Sequence, residues 1–370
     1  MVMTRAMRER AAASRRVELS PDEWKSVAGH LHGAFSGNVR GVLRGVCRAA
    51  RDGVDRAAAA AAAKAPKGGQ QPEAGNRRMD PRWFTTRVEA LRWVAEQGCA
   101  LVDDIQLLKF VVQIGSLDAL QWGVQSRAWV LPSAACGWAA QHGQLAVLQW
   151  LRAQGCPWDE DTCAKAAWGG CLEVLQWLRS QGCPWAEDTC TVAAGGGHFA
   201  LLQWARAQGC PWNVWTCARA AKGGHLEVLK WARAKGCPWN EHTCTYAAQE
   251  GRLEVLKWAR AQGCPWYEAA TSEAAQGGHL ELLQWASAQG CPWNDNICSC
   301  AAWGGHLDVL QWLRAEGCPW GKHTCSDAAE RGHLEVLRWA RAQGCPWDAD
   351  ACWRLAGDHP LVAQWIEKNR

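Results

Sequence analysis

Three side chains that could do chemistry recur through this chain at fixed spacing. Cysteines come in pairs seven residues apart, such as Cys156 and Cys163, and offer zinc ligands. Histidines share one phase of a 27-residue frame: His198, His225, His279, His306 and His333. Two tryptophan columns, through Trp158 and Trp177, offer faces for base stacking or for caging a methylated ammonium. The spacing argues against all three. Zinc takes four ligands, commonly from two close Cys pairs, but here the next copy lies 27 residues away and Thr271 replaces one cysteine. A small buried filler fits these thiols better. A catalytic base would not be repeated and then exchanged for Gln144, Cys171 or Arg252 at the equivalent positions. Phosphate-binding Gly-rich loops, His-Glu-x-x-His and Gly-x-Ser-x-Gly are all absent from the sequence. No catalytic activity, metal or cofactor is expected.

The elements that position these residues follow from the tetrapeptide Gly-Cys-Pro-Trp. It occurs eight times, from Gly155 to Gly344, each copy 27 residues after the last. A fixed period of this length marks a solenoid, whose units cover their apolar faces by stacking on neighbours. In the clearest unit, Asp159 is placed to cap a helix running to about Trp168, and Gly169-Gly170 break it. Asn213, Asn240, Asn294 and Asp348 share the capping phase. A second helix spans 172–181 and stops at Gly182, and Pro184 prevents its continuation. The unit is helix–turn–helix–loop, so the predicted fold is an all-α, right-handed repeat solenoid. Tryptophan traces the second helix eleven times, from Trp93 to Trp365. Both tryptophan columns are expected in the core, with Trp231→Ala costing roughly 3–5 kcal/mol.

What varies between units is where function is expected. On the first helix, one column reads Trp138, Lys165, Val192, Arg219, Tyr246, Glu273, Cys300, Asp327 and Arg354. A second, three residues on, includes Trp168, Lys222, Trp303 and Glu330. Positions three apart share a helix face. The Ala-Ala pair between them is expected to pack against neighbouring units, leaving the columns outward on a concave side. Trp168, Trp215, Tyr246 and Trp303 would be exposed aromatics there, the composition of interface hot spots. The columns run from basic (Lys165, Arg219, Lys222) to acidic (Glu273, Asp327, Glu330), which calls for a partner of complementary polarity. The bland alternative is a solvated face free to drift.

Charge is uneven. Residues 1–80 carry a net +7 and the rest a net −3, so a nucleic-acid groove along the array is not expected. No apolar run is long enough to span a bilayer. Twenty cysteines without an export signal read as free thiols in a reducing compartment, cytoplasm or nucleus. The arginines of residues 1–16 read as a basic disordered tail or as an organellar transit peptide. The expected divisions are that tail, a helical head at 17–56, an Ala/Pro/Gly linker at 57–82, degenerate repeats at 83–132, regular repeats at 133–347 and a capping repeat at 348–370.

Two resemblances add to this. Gly224-His-Leu-Glu-Val-Leu-Lys-Trp-Ala-Arg-Ala-Lys-Gly236, with Ala220-Ala221 before it, resembles the second helix of an ankyrin repeat, over about residues 86–370. The period is 27 rather than about 33, and Cys-Pro-Trp stands where ankyrin repeats extend a β-hairpin. The chain is therefore similar to the short, Trp-rich ankyrin variant of algae, protists and giant viruses. The head resembles an F-box at Leu19, Pro21, Trp24, Val27 and Leu31, and again at Val42–Ala50. Together the resemblances imply a monomeric protein-binding scaffold. With a true F-box, it would be the substrate-recognition subunit of a cullin-RING ubiquitin ligase, its head holding the ligase adaptor. The alternatives are a structural scaffold with no ubiquitin link and, behind it, a Cys-rich metal-binding repeat protein.

Overall fold

The computed structural model describes residues 104–294, 296–321 and 323–370. The F-box-like positions, the linker and Trp93 lie outside the described residues. Two compact units divide the chain, one ending at Pro157 and one beginning at Trp158. The first holds α1 (Asp104–Ile114), α2 (Leu117–Arg127), α3 (Ala135–Gln141) and α4 (Leu145–Ala153). The second alternates first and second helices of each repeat: α5 (Glu160–Trp168), α6 (Leu172–Ser180), α7 (Glu187–Gly195), α8 (Phe199–Ala207), α9 (Val214–Gly223), α10 (Leu226–Ala234), α11 (Glu241–Gln249) and α12 (Leu253–Ala261). It continues through α13 (Glu268–Gly277), α14 (Leu280–Ala288), α15 (Ile297–Gly304), α16 (Leu307–Ala315), α17 (Thr324–Glu330), α18 (Leu334–Ala342), α19 (Ala349–Leu355) and α20 (Pro360–Lys368). No strand occurs among the described residues.

Local chemistry sets these boundaries. The Asp159 side chain accepts from the Thr162 N–H at 3.2 Å, and Thr162 Oγ1 accepts from the Asp159 N–H at 3.3 Å, a reciprocal capping box. Asn213, Asn240 and Asp348 cap α9, α11 and α19 in the same way, through one bond each. Asn294 instead bonds the Asn296 N–H, and α15 begins only at Ile297. Gly182, at φ +77°, closes α6: its N–H bonds the Arg179 carbonyl and the Cys183 N–H bonds the Leu178 carbonyl. That paired closure needs a left-handed residue, which glycine supplies without strain.

Within the second unit, first helices pack on first helices of neighbouring repeats. The contact is made by Ala-Ala pairs from Ala166-Ala167 to Ala328-Ala329, all fully buried. The approach is so close that a Cβ on Gly223 would lie 2.5 Å from the Gly195 carbonyl. Val174, Leu175 and Leu178 of α6, with their equivalents, fill the space between first and second helices. Cysteines and threonines such as Cys163 and Thr162 complete the core.

The tryptophans correct the expectation. Among the described residues neither column enters the core, and both are half-buried. Helices that meet at alanine leave no space wide enough for an indole. Instead Trp158 and Trp177 meet edge to face at 5.7 Å where the loop crosses the second helix. The pairing recurs through Trp212–Trp231 to Trp347–Trp365. An arginine two residues after the helical tryptophan covers the next loop tryptophan, Arg179 over Trp185 at 4.2 Å and Arg233 over Trp239 at 4.1 Å. The same guanidinium donates to the carbonyl of the loop cysteine, Arg179 to Cys183 and Arg233 to Cys237. Loop indoles such as Trp185, Trp212 and Trp239 are thus held between an indole edge and a cation, whereas for Trp293 the arginine's position holds Ser287.

Candidate partner-binding face

The Ala-Ala contact faces one way along each first helix, so the variable columns emerge beside it. Trp168 is 63 % exposed and Trp215 is 38 % exposed. Arg219 and Glu330 are exposed as well. Tyr246 and Trp303 are half-buried, contrary to expectation, because neighbouring repeats stack on them. Trp215 lies flat on His242 at 4.9 Å and reaches Tyr246 at 6.1 Å. Lys222 Nζ sits 5.4 Å above the Tyr246 ring and 3.6 Å from Glu250. Arg331 covers Trp303 at 4.4 Å. Lys165 pairs with Asp161 one turn earlier at 2.6 Å, and Glu273 accepts from Gln249 at 2.9 Å. In the unit ending at Pro157, Trp138 carries Lys109 at 5.7 Å.

The acidic end of the second unit's face contains a pocket of ≈ 240 Å³ that opens to solvent. Trp303 of α15 and Asp327 of α17 line it, with Cys300, Ser299, Gln276 and His323. Burial pushes the Asp327 carboxyl up to about 6, against the attraction of His323 and with added repulsion from Glu330. The structure therefore separates two clusters: a basic, aromatic one at Trp215, Lys222, His242 and Tyr246, and an acidic, aromatic one at Trp303 and Asp327.

The histidine column is structural. His198, His225, His279 and His333 each place Nε2 2.9–3.1 Å from a backbone carbonyl of the preceding repeat, those of Trp168, Gly195, Gln249 and Trp303. Arg252 takes the same role toward Lys222. Among the described residues, no group of three or more His, Cys, Asp or Glu side chains is placed to hold a metal ion. Nor is any helix among them long and apolar enough to cross a membrane.

Sequence reasoning missed His242, His323 and Asn296 on this face. The signal was present: all three share a phase with Trp215, 27 residues apart, and so form a third variable column. Arg331 and Glu250 were missed for a different reason, because each follows the second column by one residue and reaches the face sideways.

In its described part the chain is an all-helical repeat array, each repeat a helical hairpin followed by a short loop. No protein-family profile matches it, and no curated protein does. Among solved structures it is similar to the crystal structure of the human ASB11 ankyrin repeat domain, at 17 % identity and a TM-score of 0.38. That similarity covers 48 % of this chain and 96 % of the other.

Proposed function

We propose that this protein is a non-catalytic scaffold whose first-helix face binds another protein. The observation that carries the reading is the pair of opposed clusters on one face. Solvated faces of helices ordinarily carry scattered charge; here indole, phenol and imidazole rings stack across repeats beside Lys222, while an indole and a half-buried carboxylate share a pocket further along the same face. Partly exposed rings of this kind supply rigid contact area at low entropic cost. A partner segment with acidic residues toward Trp215 and a basic residue toward Asp327 complements both. The test is affinity capture with the full chain and with Trp168→Ala/Trp303→Ala. Retained proteins should be lost from the double variant while its melting temperature stays within a few degrees of the parent. Equal retention by both chains would remove the face from consideration.

The head supplies the second half of the proposal. Leu19, Pro21, Trp24, Val27 and Leu31 would hold the F-box-binding adaptor of a cullin-RING ubiquitin ligase, so that the array presents its bound protein for ubiquitination. Pull-down of the purified adaptor by the full chain supports this. A clean negative with folded protein leaves a scaffold with no ubiquitin link.

A further inference from the structure

Seven times over, the fold places two buried thiols against each other. The cysteine of a first helix meets the loop cysteine twenty residues later: Cys136 with Cys156, Cys163 with Cys183, Cys190 with Cys210, Cys217 with Cys237, Cys244 with Cys264, Cys298 with Cys318 and Cys325 with Cys345. Each pair is joined by a side-chain hydrogen bond. Three first-helix sulfurs lie 3.8–4.0 Å from the carbonyl of the partner cysteine itself. The loop thiol is held from its other side, Cys183 Sγ by the Asp159 carbonyl at 3.4 Å and Cys237 Sγ by that of Asn213 at 3.5 Å. All of these cysteines are at most 3 % exposed.

Packing alone does not require sulfur at both places. In the eighth repeat Thr271 occupies the helix position opposite Cys291, bonds the Glu268 and Pro292 carbonyls, and leaves the helical hairpin intact. The frame tolerates a hydroxyl there, yet seven repeats carry a dithiol.

We propose that each pair is an oxidation site, at which a low-molecular-weight disulfide such as glutathione disulfide converts the two thiols to an internal disulfide that ties the first helix of a repeat to the loop leaving its second. The two thiols of a pair are not equivalent. The first-helix thiol donates the hydrogen bond and so keeps its proton, which burial reinforces. The loop thiol accepts it, and in the pairs ending at Cys210, Cys237, Cys264 and Cys345 that bond, assisted by the arginine at the same loop, favours the thiolate. When the loop opens to solvent, its thiolate attacks one glutathione sulfur, forming a mixed disulfide and releasing one glutathione thiolate. The first-helix thiol then gives up its proton and attacks the loop sulfur, forming the internal S–S bond and releasing the second glutathione. Two protein thiols lose two hydrogens and glutathione disulfide becomes two glutathione thiols. Each bond closes a loop of about twenty residues, a length at which a cross-link restrains the unfolded chain appreciably.

The test uses the full chain, incubated with glutathione disulfide below its melting temperature, then acid-quenched, alkylated in denaturant and mapped by mass spectrometry. Of its 20 cysteines, 14 should be consumed in seven bonds, each linking residues twenty apart, with six left outside internal disulfides. Cys217→Ser should remove the bond at Cys237 and no other, and Thr271→Cys should add one to Cys291. The oxidised chain should melt more than about 10 °C above the reduced one. Glutathione adducts without internal bonds, bonds joining other partners, or thiols that stay unreacted even just below the melting temperature would each overturn the proposal. Recovery of all thiols and of the original melting temperature on reduction separates the reaction from misfolding.

Discussion

Asp327 should cost this protein stability at neutral pH, and replacing it by asparagine should recover that cost. Its carboxyl sits beside Trp303 on the rim of the pocket, half withdrawn from water, and burial raises it from 3.8 to about 6. A carboxyl whose folded value lies above its unfolded one binds more protons folded than unfolded between those two values. Stability therefore falls as pH rises through that window, and the full penalty applies above it. At 1.36 kcal/mol per pH unit the gap corresponds to ~3 kcal/mol, which partial exposure to water reduces to about 1–2 kcal/mol. Asp327→Asn keeps the shape and removes the charge. It should stabilise the chain by about 1–2 kcal/mol at pH 7 and by nearly nothing at pH 3.5, where the parent carboxyl is mostly protonated in both states. Urea unfolding followed by circular dichroism gives the global value, and amide exchange in α17 gives the local one, which matters because repeat arrays need not unfold as one unit. Destabilisation at pH 7, or an equal gain at both pH values, would refute the reasoning. His323 and Glu330 flank the group and are present in both chains, so the difference between them isolates Asp327. If the pocket takes a partner's cation, the same substitution that stabilises the free protein should weaken capture of that partner.

Three further outcomes follow from the packing. Leu229→Ala removes a fully buried side chain and should cost about 2–5 kcal/mol, whereas Trp231→Ala on the same helix, half at the surface, should cost only about 2–3 kcal/mol by urea unfolding. Asp159→Ala breaks the reciprocal capping box with Thr162 and should cost about 1 kcal/mol, localised by exchange to α5. The repeat from Tyr267 to Trp293 lacks a capping side chain, carries Ser287 where others have the clamping arginine, and has Thr271 in place of a thiol. Its amides should exchange faster than those of any repeat between Trp185 and Trp266, and slower exchange there would mean that caps and clamps contribute little.

The frame was legible because its signals are local. A capping aspartate, a glycine that must turn left-handed and a proline that cannot continue a helix act within a few residues, and Asp159, Gly182 and Pro184 could be read directly. The Ala-Ala contact was legible too, since a pair of small residues in every unit implies close approach. The tryptophans were misjudged because apolar character and periodicity predict a buried stripe without saying how deep it lies. Depth depends on how near the first helices come, and alanine brings them too close to admit an indole. The arginine clamp stood in the sequence as a column at Arg152, Arg179, Arg206, Arg233, Arg260, Arg314 and Arg341. Its purpose depends on a contact across the loop to the next repeat, which no within-repeat pattern displays. The same is true of the cysteine partners, which stand seven apart in one reading and twenty apart in the one that matters.

That lateral logic also bears on how the variable face can change. Because first helices meet at alanine, a residue on one helix lies beside its counterpart 27 positions on. The pairs Trp215–His242, Lys222–Glu250, Gln249–Glu273 and Trp303–Arg331 all arise this way, at separations of 24 to 28 residues. The face is therefore a set of coupled neighbours rather than independent positions along each helix. Replacing Tyr246 removes the ring beneath Lys222 and one neighbour of Trp215, leaving Glu250 and His242 as their partners; replacing Arg331 exposes Trp303 at the mouth of the pocket. Residues that share partners couple, so substitutions across adjacent repeats should depart from additivity, while substitutions at Trp168 and Trp303, well separated along the array, should combine independently. A surface that merely drifted would have no reason to pair its rings and charges across the α9–α11, α11–α13 and α15–α17 seams, whereas on the exposed sides of the second helices Lys230–Glu227, Lys257–Glu254 and Arg338–Glu335 each stay within one helix.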